Sequence, residues 1–293
     1  LLVVAGGQGG LGAYSGGGGA GEVVYYPQYA INAGTYDIAI GIDSTTASNR
    51  ISSIKKAGVN QLIALGGGNG AFWGFYNDGV ERQFPPKAYN STTTRTATTF
   101  NGYSCQKYTM TLDTTGITYG SGTYDLYVSS VYSTAVQYDG YRMFDYDTAS
   151  TANRWAGGNN FYVITTGAVS ATNTNYFIDN TYKGDWFCLK LPIPISLTKY
   201  TIYQTSTALD RAPKNFRVYG SMDATNWSLL QTVTGATYTS RVYTNTGLST
   251  NTAQHQYICF VVNALVGGTT STLIDIVEFQ LFGKQAFIDR KSV

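Results

Sequence analysis

The sequence predicts an all-β protein, and three observations carry that prediction. Charged residues are 12% of the 293 residues, about half the roughly 25% of an ordinary soluble chain. Long helices need Glu, Lys and Arg on their wet faces and would lack them here. The space is taken by 34 glycines, 25 tyrosines and many Ser, Thr and Asn, the residues of strands and tight turns. Short apolar/polar alternations recur between Gly, Asn and Ser clusters, and a hydrophobic content of 43% argues against disorder.

Residues 1–82 hold more than half of the glycines and read as a glycine-rich β domain. Strands are expected at 1–4, 22–26, 35–42 and 61–65, glycine-rich stretches at 6–21 and 66–70, and a variable loop between 43 and 60. Within 35–42, alternation puts Tyr36, Ile38, Ile40 and Ile42 on one face. Gly7-Gln-Gly-Gly-Leu-Gly12 fits the form G-x-G-x-x-G, but Ala13-Tyr-Ser-Gly-Gly-Gly-Gly19 follows where a helix should start. No acidic residue ends a second strand at the required distance, so a dinucleotide site is not predicted. The glycines instead allow close backbone approach. With few large apolar residues, this half is expected to need neighbours to bury its strands.

Residues 83–100, with Pro85-Pro86 and a threonine run, read as an extended linker. Many short strands follow in a second domain, 101–283, and residues 284–293 form a tail.

Net charge is +2 with no basic block, which argues against nucleic-acid binding. No apolar run reaches the ~18 residues of a membrane span. Cys105, Cys188 and Cys259 lack metal-ligand spacing and are odd in number. Cys188 and Cys259 lie inside alternating strands and are read as buried small apolar residues, and all three cysteines are expected to be free thiols. His255, the single histidine, sits among polar residues and is expected to face solvent or a turn. No Ser/His/Asp, Cys/His or local paired-carboxylate set stands out, so the chain is read as non-enzymatic.

The ordered runs Trp186-Phe-Cys-Leu-Lys-Leu-Pro192, Leu197-Thr-Lys-Tyr-Thr-Ile-Tyr203, Arg211 to Trp227 and Ile276-Val-Glu-Phe-Gln-Leu-Phe-Gly283 resemble the discoidin-like (coagulation-factor type C) family. That resemblance implies a C-terminal galactose-binding-like jelly-roll β-sandwich that binds a surface. Ser129-Ser130 resembles the family's opening strand, and residues 144–155 its Asp-Gly-Asn…Trp loop, with Tyr146 in place of the glycine. Residues 156–182 are an insertion. Alternation turns Glu278 inward, where a carboxylate needs a partner. The resemblance implies a structural calcium held by Glu278 and Asp145, helped by Asp147 and by oxygens near Thr148 and Thr151. Calcium suits oxygen-only ligands. The alternative is a Glu278 bonded to backbone amides or to Arg154.

Trp155, Trp186 and Trp227 stand at family-like positions, and Trp186 and Trp227 are read as core and turn-packing residues. Sugar stacking falls to loop aromatics such as Tyr138, Tyr141, Tyr146, Phe161 or Tyr182. Arg211 contacts either a ligand or a neighbouring loop. The glycine-rich half resembles a domain of phage and large-virus fibre and surface proteins. Together the resemblances imply a fibre or capsid-decorating protein on the virion surface or outside the cell. It would bind host-surface glycans, contact other virion proteins and form a homo-oligomer, with a trimer favoured. A structural filament or capsid block without a glycan ligand is the alternative.

Overall fold

A computed structural model describes residues 2–4, 23–25, 35–39, 52–56, 59–64, 76–89, 93–112, 119–173, 176–268 and 272–287. The chain divides into two compact units, residues 1–79 with 286–293 and residues 80–285. Among the described residues the helical turns are short 3-10 turns, at Val136–Tyr138, Gly140–Phe144 and Leu209–Arg211. Everything else regular is strand.

In the first unit β1 (Leu2–Val4) pairs with β2 (Val23–Tyr25). β3 (Tyr36–Ala39), β4 (Ser52–Lys56) and β5 (Val59–Ala64) form an antiparallel three-stranded sheet. β4 lies in the segment expected to be a variable loop. The register explains it: Ile54 pairs with Ile38 on one side and Leu62 on the other, so β4 is held by ladders along both edges. β3 is an edge strand with Asp37, Ile38 and Ala39 all exposed. The glycine-rich stretches 6–21 and 66–70 and the end of the tail lie outside the described residues.

The second unit is a β-sandwich. Its strands are β6 (Tyr76–Phe84, which begins before the unit boundary), β7 (Arg95–Phe100), β8 (Tyr103–Leu112), β9 (Gly122–Val128), β10 (Trp155–Ala156), β11 (Tyr176–Phe177) and β12 (Asp179–Lys183). Then come β13 (Asp185–Tyr203), β14 (Pro213–Ser221), β15 (Trp227–Val233), β16 (Val242–Asn245), β17 (His255–Leu265), β18 (Asp275–Ile276) and β19 (Glu278–Phe287). The main path runs β15-β14-β17-β13-β9-β8-β7, while β16 and β19 pair with β13, and β19 also pairs with β6.

β13 belongs to both layers. Asp185–Lys190 pairs with β17 and β9, and Ile195–Tyr203 pairs with β19 and β16. The register shifts between Lys190 and Ile195, where Pro192 and Pro194 remove two ladder donors and let the strand turn a corner. The core fills the space between the layers. Phe187 and Tyr200 of β13 meet Phe260 of β17 and Phe279 of β19, with ring centroids 4.6–5.8 Å apart. Such a ring contributes roughly 1.5–3 kcal/mol by burial.

The expected linker is corrected in part. Phe84 and Tyr89 are buried in the sandwich core, and residues 95–100 form β7, paired with β8. A threonine-rich alternating run is a strand signal as much as a linker signal. A second, smaller core lies on the back of the sheet. Phe177 stacks on Trp186 at 4.1 Å, and Phe100, Tyr127, Trp227 and Tyr257 close around them. Phe177, from the 156–182 insertion, thus covers a face that would otherwise be wet.

The expectation of three free thiols fails. Cys188 and Cys259 are directly opposed on β13 and β17 and form a disulfide, while Cys105 is free and buried. Alternation places each cysteine on a buried face but does not say which strands are neighbours. Peptide mapping without reductant should recover a Cys188–Cys259 cross-linked peptide, with Cys105 alkylated only after unfolding. The bridge closes a separation of 71 residues, so reducing it should cost about 4 kcal/mol in the chain-entropy picture.

Candidate functional site

One cluster is built on Asp275, which is fully buried. β10 and β18 pair Ala156 with Asp275 and Trp155 with Ile276. Two residues before Ala156, Arg154 reaches Asp275 Oδ1 with its Nε at 3.1 Å, and Arg211 Nη1 meets Oδ2 at 3.1 Å. The first contact is an ion pair without hydrogen-bond alignment. Burial pushes the Asp275 carboxyl up and the two guanidinia work against it. Gln204 Nε2 donates to the Asp275 carbonyl at 2.7 Å, while Gln204 Oε1 and Arg211 Nε are buried without a partner.

Aromatic residues frame these arginines. The Arg154 guanidinium lies over the Tyr138 ring at 5.0 Å, and Tyr138 meets Tyr132 edge to face at 5.3 Å. The Tyr132 N–H donates to the Ala156 carbonyl at 2.8 Å, which ties it to the strand beside Asp275. Tyr132 is 46% exposed, and Val136 nearby in the chain 63%. An exposed aromatic ring held against a second ring that a guanidinium covers can receive the apolar face of a sugar ring.

A second cluster is built on Glu278, also fully buried. Its Oε2 accepts the Tyr146 N–H at 3.0 Å, and its Oε1 has no partner. Tyr146 takes φ 65°, a left-handed conformation. That accounts for a glycine suiting this position. The phenol of Tyr146 donates to the Pro85 carbonyl. Asp145 is half-buried, paired with Arg142 at 3.3 Å, and accepts the Asp147 N–H at 3.1 Å. Burial foremost, and then the charges of Asp145 and Asp147, push Glu278 up to about 9.

The orphaned Oε1 beside two further carboxylates fits a cation. Among the described residues, however, no three His, Cys, Asp or Glu side chains form a metal cluster. Hydroxyl or carbonyl oxygens would have to complete any shell. Thr151 is exposed, and its carbonyl accepts Arg154 Nη1 at 3.2 Å.

The structure therefore divides the anticipated residues. It gathers Asp145, Asp147, Tyr146 and Glu278 in one loop region, and places Tyr138 on the Asp275 cluster. Arg211 anchors its own loop to Asp275. Tyr141 is 1% exposed, edge to face with Tyr108 and covered by Arg142, so it belongs to the core. His255 is buried rather than solvent-facing, its ring packed against Gly220 with Nδ1 unpartnered, and burial lowers its pKa. Tyr132, Arg154 and Asp275 were not anticipated as a cluster. The signal that could have found it is Asp275 itself, a carboxylate inside the apolar run Leu273-Ile-Asp-Ile-Val277, which if buried needs a cationic partner.

No family model matches the chain, and no curated protein matches it. Solved structures do resemble it. CBM32-3 from a family 31 glycoside hydrolase of Clostridium perfringens is 16% identical, with a TM-score of 0.40 over 54% of this chain and 91% of that one. An F5/8 type C domain from Bacteroides fragilis is 14% identical, with a TM-score of 0.39 over 59% and 95%. A fucolectin from striped bass serum is 11% identical, with a TM-score of 0.38 over 55% and 46%. At these values, function must be argued from the site itself.

The Glu278 cluster gives a signed prediction. Without metal its folded pKa, about 9, lies above its ordinary 4.5. The folded state therefore binds more protons between those values, and stability falls as pH rises through that window. Chelated protein should melt lower at pH 8 than at pH 5, calcium should restore the loss at pH 8, and Glu278→Gln should shrink the pH response and abolish the calcium response. Equal melting temperatures with chelator and with calcium at pH 8 would dismiss the ion.

Proposed function

We propose that this chain is a non-enzymatic saccharide-binding protein that uses the Tyr132–Tyr138–Arg154–Arg211 face at one end of its sandwich. The observation that supports this most is the exposed Tyr132 ring set edge to face on Tyr138, which Arg154 covers, with Arg154 and Arg211 both paired to the buried Asp275. Arginine donors anchored at one edge stay pre-oriented, so a ligand would spend little entropy ordering them. A calcium ion, held by Glu278 and Asp145 with Asp147 and the Thr151 region, would neutralise the carboxylates beneath the neighbouring loop. The ligand we favour is a host-surface glycan. The setting we favour is the virion surface or extracellular space, on a fibre or capsid-decorating protein that contacts other virion proteins. That setting rests on the resemblance of residues 1–82 to fibre modules. A glycan array should give discrete hits with the full chain, and Tyr132→Ala should weaken them at least tenfold, about 1.4 kcal/mol. Hits that survive Tyr132→Ala would move the site elsewhere, and an array with none would remove the binding reading.

A structural role without a glycan is the second reading, and one observation favours it. Ile38 on the edge strand β3 is 69% exposed, so among the described residues nothing covers that side chain. A homo-oligomer, with a trimer favoured, would cover it. Light scattering should show an oligomer for the full chain and a smaller species for Ile38→Lys. A wild-type monomer at high concentration would end this reading.

A further inference from the structure

Beneath the Tyr132 face lies a fully buried carboxylate that the site does not use. Asp185, the first residue of β13, is 0% exposed. Its Oδ1 accepts the hydroxyls of Ser129 and Ser130, each at 2.8 Å. Its Oδ2 has no partner. The Tyr162 hydroxyl neighbours the carboxylate, but it accepts the Asp185 N–H at 3.0 Å and donates its one proton to the Val262 carbonyl at 3.0 Å. Glycine at 157 leaves room for this oxygen, since a Cβ there would lie 2.9 Å from Oδ2.

The bonds from this carboxylate lead to the binding face. Ser130 Oγ, held by Asp185, accepts the Gly158 N–H at 2.7 Å, and the Ser130 carbonyl accepts Trp155 Nε1 at 2.9 Å. Ser129 Oγ accepts the Trp186 N–H at 3.0 Å. Tyr132, two residues beyond Ser130, hangs from Ala156, between Trp155 and Gly157. One carboxylate thus joins the segment carrying Tyr132 to the segment carrying Trp155, Ala156, Gly157 and Gly158.

We propose that Asp185 is a positioning residue for the Tyr132 face: the pocket formed by residues 129–132 and 157–162 stays closed while Asp185 is protonated and opens towards water when it ionises, because the serine bonds serve Oδ1 and leave the charge on Oδ2 without a donor. The ionised form leaves a charge on Oδ2 in a dry place with no donor. A proton removes that charge and turns the orphan acceptor into a donor. Burial pushes the Asp185 carboxyl up to about 6 from 3.8, and the two serines and Tyr162 only partly oppose it. Tyr162 is the titratable group in contact. Tyr182 faces Tyr162 from β12, and Lys183 Nζ is turned to the Ala171 carbonyl, so no cation is among the groups that shift Asp185. The proposal rests on the proposed face only in that Tyr132 belongs to it.

Amide hydrogen exchange on the full chain tests the clamp without any ligand. A failed glycan screen and a failed clamp are therefore separate results. Once intrinsic rates are divided out, protection of 129–132 and 157–162 should fall about tenfold or more between pH 4.5 and 6.5, then level off. Asp185→Asn, neutral throughout, should show a flat profile. Ser130→Ala, which removes one donor to the carboxylate, should move the wild-type midpoint to higher pH, and it serves if Asp185→Asn does not fold. A flat wild-type profile, an unchanged slope in Asp185→Asn, or an unmoved midpoint in Ser130→Ala would each overturn the proposal.

Discussion

The sandwich depends on one strand passing from layer to layer. β13 pairs with β17 and β9 over its first residues, and with β19 and β16 over its last. Pro192 and Pro194 make the change possible by interrupting the ladder where the strand must turn. Its two halves place Phe187 and Tyr200 on opposite walls of one core, where Phe260 and Phe279 join them. Close aromatic contacts of this kind hold the layers in register, because a slip by one residue would turn every ring to the wrong face.

The same strand sets the position of the loops. Asp185 at its start holds Ser129 and Ser130, and the Val277 N–H donates to the carbonyl of Tyr203 at its end. Between β18 and β19, Val277 alone separates the paired segments carrying Asp275 and Glu278. Both candidate clusters therefore hang from a framework with little freedom to drift.

Asp185, Asp275 and Glu278 are all fully buried, and the fold treats each differently. Asp275 meets two guanidinia, which oppose the upward push of burial on its carboxyl. Asp185 meets neutral hydroxyls, which stabilise a charge less than a cation does. Glu278 meets one backbone N–H and two like charges, the least favourable setting of the three. A burial argument alone would treat them alike. Their chemistry is decided by what arrives from distant parts of the chain.

Much of the fold was legible locally. Low charge, alternation and turn residues specify strands wherever they occur, because side-chain period and backbone freedom are local properties. The packing role of Trp186 was legible in its alternating run, and Glu278 is buried as expected. What the sequence left open were the pairings. Nothing local says that Cys188 faces Cys259, that Arg154 and Arg211 converge on one Asp275, or that Tyr141 is core while Tyr132 is exposed. β7 and β4 looked like linker and loop because polar alternating runs become strands only when neighbouring strands supply their hydrogen bonds. Composition and period thus determined the class of structure. Long-range strand order, set at the β13 corner, decided which side chains meet and so where a ligand or an ion could bind.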